Sequence, residues 1–150
     1  MKKIIFPVIA VLSGAMSSHF VSPVAAQQLA LKNFNGGSYV SGGFGMDERA
    51  RLRSIAKGEN LELSFALRNK EYLDGANVRI KNSKGATVLE TVSEGPLFYA
   101  TLPAGAYTVS ATALGKTLTQ NVQVPTKGQA RVYFAWNASN ELISQSVAQR

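Results

Sequence analysis

The sequence predicts an all-β fold, a two-layer β-sandwich of about seven strands with one accessory N-terminal helix. Three observations carry that expectation. Apolar and polar residues alternate with a period of two, as where Leu61, Leu63, Phe65 and Leu67 interleave with Glu62, Ser64, Ala66 and Arg68. Turn chemistry interrupts the alternation about every 8 to 12 residues, at Asn82-Ser83-Lys84-Gly85, Leu102-Pro103-Ala104-Gly105 and Gly115-Lys116. A helical period appears in one place, between Met46 and Lys57.

Residues 1–26 read as a signal peptide: Lys2 and Lys3, an apolar stretch from Ile4 to Met16, then the small-residue cleavage pattern Val24-Ala25-Ala26. Cutting there leaves Gln27 to Arg150, 124 residues, enough for one domain with a sizeable core. A bacterial export signal of this kind predicts a periplasmic or secreted protein. No later run of about 18 apolar residues follows, so no membrane span is expected after cleavage. Without a cysteine at the cut, no lipid anchor is expected either.

The chain has no cysteine, and its one histidine, His19, leaves with the leader. The remainder lacks the usual residue for proton transfer near neutral pH and the commonest metal ligand. No enzyme, cofactor or metal site is therefore expected. Loss of Lys2 and Lys3 from the 16 basic residues leaves 14 against 9 acids, a net charge of +5. That balance favours anionic partners. The basic residues are dispersed rather than gathered into the runs of a nucleic-acid arm, so nucleic acid is not an expected partner.

The elements follow in order. Segment 27–58 holds Leu29 to Phe34 and Ser38 to Ser41 as short extended pieces, then the corner Gly42-Gly43-Phe44-Gly45. Leu52, Ile55 and Ala56 recur at helical spacing after it, with Asp47 and Glu48 at the start and Gly58 at the stop. Segment 59–138 is the sandwich. Leu61 to Leu67 is its first strand, and Val78 to Lys81 with Thr87 to Val92 reads as a hairpin. Leu97 to Thr101, Tyr107 to Ala111 and Leu118 to Val124 are further strands, Gln120 being the one polar member of an otherwise apolar face. Val132, Phe134 and Trp136 make the last, and 139–150 is a polar tail.

Within this pattern, Gly75-Ala76-Asn77-Val78-Arg79-Ile80, the Asn82–Gly85 turn and Leu102-Pro103-Ala104-Gly105-Ala106-Tyr107-Thr108-Val109 resemble the carboxypeptidase regulatory-like domain. The resemblance covers residues 75–124 and implies an Ig-like or transthyretin-like β-sandwich in which Tyr107 and Val109 enter the core. Such domains serve as binding or stabilising modules. With Asn60-Leu61-Glu62-Leu63 and Gly95-Pro96 added, the whole chain resembles a group of small exported proteins of Gram-negative bacteria.

Several motifs invite chemistry. The Gly-rich corner before a helix suggests an anion cradle, but Glu48 stands where the dinucleotide fingerprint needs its third glycine. Ser54-Ile55-Ala56-Lys57 matches S-x-x-K, yet Ser54 falls near the helix end and the companion motifs are absent. None of the acids sits in a glycosidase-like pattern. A Lys32-to-Asn137 isopeptide bond, promoted by Glu62 or Glu90, is a covalent alternative to test, but an exposed lysine and a turn asparagine explain the same residues better.

The candidate partner-binding residues are Arg49, Arg53 and Lys57, a basic stripe at four-residue spacing, and Tyr133, which points away from the face of Val132 and Trp136. A solvated helix face is the simpler explanation of the stripe. Tyr99, Tyr133 and Trp136 suggest an aromatic platform, with Trp136 read as core. Loops 69–75 and 93–96 are expected contact tips, and an exposed sheet edge offers strand addition. The expected role is a non-catalytic binding or structural module for an envelope protein or an anionic polymer. Carbohydrate binding is the alternative, and a small outer-membrane barrel a further one.

Overall fold

The computed structural model describes residues 29–137. The expected signal peptide, 1–26, and polar tail, 139–150, lie outside the described residues. The strands are β1 (Lys32–Phe34), β2 (Gly37–Gly42), β3 (Leu61–Leu67), β4 (Asn77–Asn82), β5 (Thr87–Val92), β6 (Leu97–Thr101), β7 (Gly105–Ala113), β8 (Lys116–Val124) and β9 (Ala130–Trp136), with one helix, α1 (Gly45–Ile55). They form an all-β sandwich of two sheets, one of order β1-β2-β6-β3-β9 and one of order β5-β4-β7-β8.

The alternation in the sequence becomes the inside and outside of this sandwich. Leu61, Leu63 and Phe65 of β3, Val78 and Ile80 of β4, Val109 of β7 and Phe134 of β9 are fully buried between the sheets. Phe65, Phe134 and Trp136 pack as an aromatic cluster with centroids 5.9 to 6.3 Å apart. Tyr107 also enters this core, and its hydroxyl donates to the Pro103 carbonyl at 2.7 Å, tying the β6–β7 corner.

Strands number nine rather than about seven because the extended pieces of segment 27–58 join the five-stranded sheet. β2 pairs antiparallel with β6, Val40 opposite Tyr99, and β1 pairs with β2. β3 lies between β6, which is antiparallel to it, and β9, which is parallel. The remaining strand pairs are antiparallel. Side chains stitch the sheets at both corners. At one, the Gln120 amide donates to the Tyr133 carbonyl at 2.7 Å and the Trp136 indole N–H to the Lys116 carbonyl at 2.9 Å. The polar interruption on the inner face of β8 thus satisfies a carbonyl on edge strand β9. At the other corner, the hydroxyls of Tyr39 and Thr91 meet at 3.3 Å.

The barrel reading is corrected by this topology. Both sheets have free ends, and the large apolar side chains fill the space between them, whereas a membrane barrel turns them outward. Among the described residues no helix is long and apolar enough to cross a membrane.

Helix α1 packs on the outer face of the five-stranded sheet. Leu52 and Ala56 bury against Val40, Leu97 and Tyr99, forming a second, smaller core. Its start is held by side chains rather than by a capping hydroxyl. Glu48 accepts from the Gly43 N–H at 2.9 Å, and Arg49 donates to the Gly43 carbonyl at 2.9 Å.

Candidate functional site

Because Leu61, Leu63 and Phe65 point inward, Glu62, Ser64 and Ala66 point outward, and Arg131, Tyr133 and Ala135 do so on β9. Register puts Glu62 beside Arg131 on one side and Tyr99 on the other, and Ser64 beside Tyr133. Helix α1 covers the neighbouring column of Val40, Leu97 and Tyr99. The uncovered strip of β3 and β9 is therefore the floor and far bank of a groove, and the helix is its near bank.

The basic stripe lies along that near bank. At its upper end the Arg49 guanidinium stands 4.0 Å from the centroid of the Tyr72 ring. Tyr72 reaches this position because its backbone forms a bridge to Ala66. Arg53 stands beside the Tyr99 hydroxyl. Burial pushes the Tyr99 pKa up, with the Glu62 charge adding to it, and Arg53 opposes both. At the lower end Arg53, Lys57, Glu62, Tyr99, Gln129 and Arg131 line an open cavity of about 370 Å³. Arg49 and Arg53 are one turn apart on α1, about 6 Å along its axis, and Lys57 follows in the turn after the helix.

The four sequence-predicted residues thus share one face in unequal roles. Arg49 is engaged by Gly43 and Tyr72, while Arg53 and Lys57 are exposed. Tyr133, 54% exposed, stands on the far bank. Arg131 and Glu62 were not singled out by sequence as binding residues, although alternation alone puts both on the outer face. Their pairing, Arg131 Nε to Glu62 Oε2 at 3.4 Å, joins β9 to β3 across a long sequence separation.

Other expectations are corrected. Tyr99 is buried under the helix and forms no platform with Tyr133, whereas Trp136 is core as expected. Loop 93–96 is not a contact tip. Ser93, Gly95 and Pro96 are buried, with the Ser93 hydroxyl donating to the Gly95 carbonyl at 2.7 Å. Loop 69–75 is mostly exposed.

The isopeptide pair is separated by the sheet order, since Lys32 is on β1 and Asn137 follows β9, four strand spacings or about 19 Å away. Lys32 instead donates to Glu94 at 2.8 Å, which holds its ammonium above the ordinary lysine range, the reverse of what a nucleophilic amine needs. At the glycine corner the Gly43 N–H is taken by the Glu48 carboxylate, which sets a negative charge where an anion would approach. Ser54 and Lys57 line different cavities, Ser54 facing Leu29, Phe44 and Arg51 on the other flank of the helix.

What the groove offers is charge recognition. Three cationic side chains, Arg53, Lys57 and Arg131, surround one carboxylate, Glu62, which is paired with Arg131 and whose side chain is only 19% exposed. Neither protein-family models nor curated proteins give a match to this chain.

Proposed function

We propose that this chain is an exported, non-catalytic binding module that holds an anionic partner, an envelope protein or an anionic polymer, in the groove between α1 and β9. The observation that carries this reading is the convergence of Arg53 from the helix and Lys57 from the turn that follows it with Arg131 from the sheet on a single open cavity. Cations from separated parts of the chain on one concave surface raise the local potential more than the same charges dispersed. Burial of Tyr107 and Val109, which the carboxypeptidase regulatory-like resemblance implies, supports a module of that kind. Separation of Ser54 from Lys57 supports a role without covalent catalysis.

The test is retention on an anionic matrix across a salt series, with the Arg53→Glu/Lys57→Glu/Arg131→Glu variant beside the native chain. Native retention that weakens with salt and is lost in the variant supports the reading. Equal retention by both removes the groove as the site. Periplasmic recovery of a chain beginning at Gln27 tests the export component.

A further inference from the structure

Glu62 is out of place in a simple anion site. It lies at the centre of the groove floor, between Arg131 and Tyr99 in register, and lines the same cavity as Arg53 and Lys57. Among the described residues its only close polar partner is Arg131, at 3.4 Å, through one carboxylate oxygen. The other oxygen retains its capacity to accept. The groove therefore combines donors for an anion on its banks with a fixed, partly desolvated acceptor on its floor.

We infer that the occupant is an acidic saccharide chain, one that carries carboxylates and free hydroxyls on the same units; this rests on the groove being the binding site. Sugar carboxylates would pair with Arg53, Lys57 and Arg131, while sugar hydroxyls donate to Glu62 and exchange hydrogen bonds with Ser64. The exposed ring of Tyr133, beside Ser64, offers an apolar face against which a sugar ring packs. A polyacid without hydroxyls meets Glu62 as a like charge. An extended acidic peptide also finds no strand edge here, because the floor is the face of a sheet whose β3 backbone is already paired on both sides with β6 and β9. Glu62 is thus the specificity-determining residue: it costs affinity for polyanions in general and gains it for those that can donate hydrogen bonds.

The experiment is calorimetric titration of the purified chain, at fixed ionic strength, with oligogalacturonate, its fully methyl-esterified counterpart and polyglutamate. The native chain should bind oligogalacturonate in preference to the other two. Glu62→Gln, nearly isosteric, should weaken oligogalacturonate binding about tenfold although it raises the net charge, and should strengthen polyglutamate binding. Tyr133→Ala should weaken oligogalacturonate alone. Polyglutamate binding at least as tightly, with Glu62→Gln strengthening both acids, would overturn the saccharide inference and leave the basic groove intact. No binding of either acid, or binding unchanged in Arg53→Gln/Lys57→Gln, would overturn both the inference and the groove beneath it. A circular dichroism spectrum unchanged between variants keeps misfolding out of the comparison.

Discussion

Leu52→Ala should release helix α1 while the sandwich stays folded. Leu52 is fully buried, but its cluster of Val40, Ala56, Leu97 and Tyr99 is distinct from the core between the sheets. Only Leu52 and Ala56 of the helical segment are buried in that cluster, so the helix is held to the sheet by a narrow apolar contact. Truncating a buried leucine costs about 2 to 5 kcal/mol, depending on how far the site collapses. Here the opposing surface is a hydrogen-bonded sheet that cannot move inward, which argues for a loss of about 3 kcal/mol. With tenfold for each ~1.4 kcal/mol, the opening equilibrium of the helix should rise by about two decades. Amide hydrogen exchange reads this directly. The N–H groups of Arg53 and Ile55 should lose about two decades of protection, whereas those of Leu63 in β3 and Phe134 in β9 should keep theirs. Equal losses in helix and strands would refute the reasoning, because the two clusters would then open as one cooperative unit. The variant should also lose groove binding, since Arg53 and Lys57 depend on the helix for their positions.

Three further outcomes are expected. Tyr107→Phe removes the 2.7 Å bond to the Pro103 carbonyl and should cost about 1 kcal/mol in urea denaturation; an unchanged midpoint would show that water replaces the hydroxyl at no cost. Gly95→Ala would drive its Cβ into the Gly42 carbonyl oxygen, a backbone clash that should cost about 2 kcal/mol or more, whereas Gly85→Ala meets no atom and suffers only its positive φ of 77°, about 1 kcal/mol; similar melting temperatures for the two would contradict this. Burial raises the Tyr99 pKa, so the folded state holds that phenolic proton to higher pH than the unfolded chain does. Its contribution is complete below the ordinary tyrosine pKa of about 10 and declines as pH rises through the folded value. Tyr99→Phe should flatten the alkaline fall in stability, and an unaltered slope would assign that fall to other groups.

The period-two alternation was sufficient to place β5 and β6 and to assign Val132, Phe134 and Trp136 to the core with Tyr133 opposite. Partner choice was not legible. Nothing local in Ser38 to Ser41 signals that β2 pairs with β6, nor does any pattern in Leu61 to Leu67 announce a parallel neighbour near residue 130. The site was half visible for the same reason. Arg49 and Arg53 line up because a helix repeats locally, and Lys57 continues the line from the turn after it, but Glu62 and Arg131 join them only through pairing across the sheet. Loop 93–96 misled because polar and glycine-rich composition usually marks exposure, whereas Gly95 is there to let two backbones touch. Tyr99 misled because alternation tells which face a residue occupies, and the helix covers part of the outer face.

The parallel pairing of β3 with β9 governs the order in which this domain is completed. β3 gains its β6 neighbour once residue 100 has emerged, but its other edge stays unpaired until Ala130–Trp136 arrives. Until then Phe65 lacks the rings of Phe134 and Trp136 against which it rests. Closure of so long a loop is entropically slow, which places docking of the last strand late in assembly. Trp136 reports that event, and its fluorescence should change in the slowest refolding phase. A chain ending short of residue 130 would present β3 as an open hydrophobic template for another molecule.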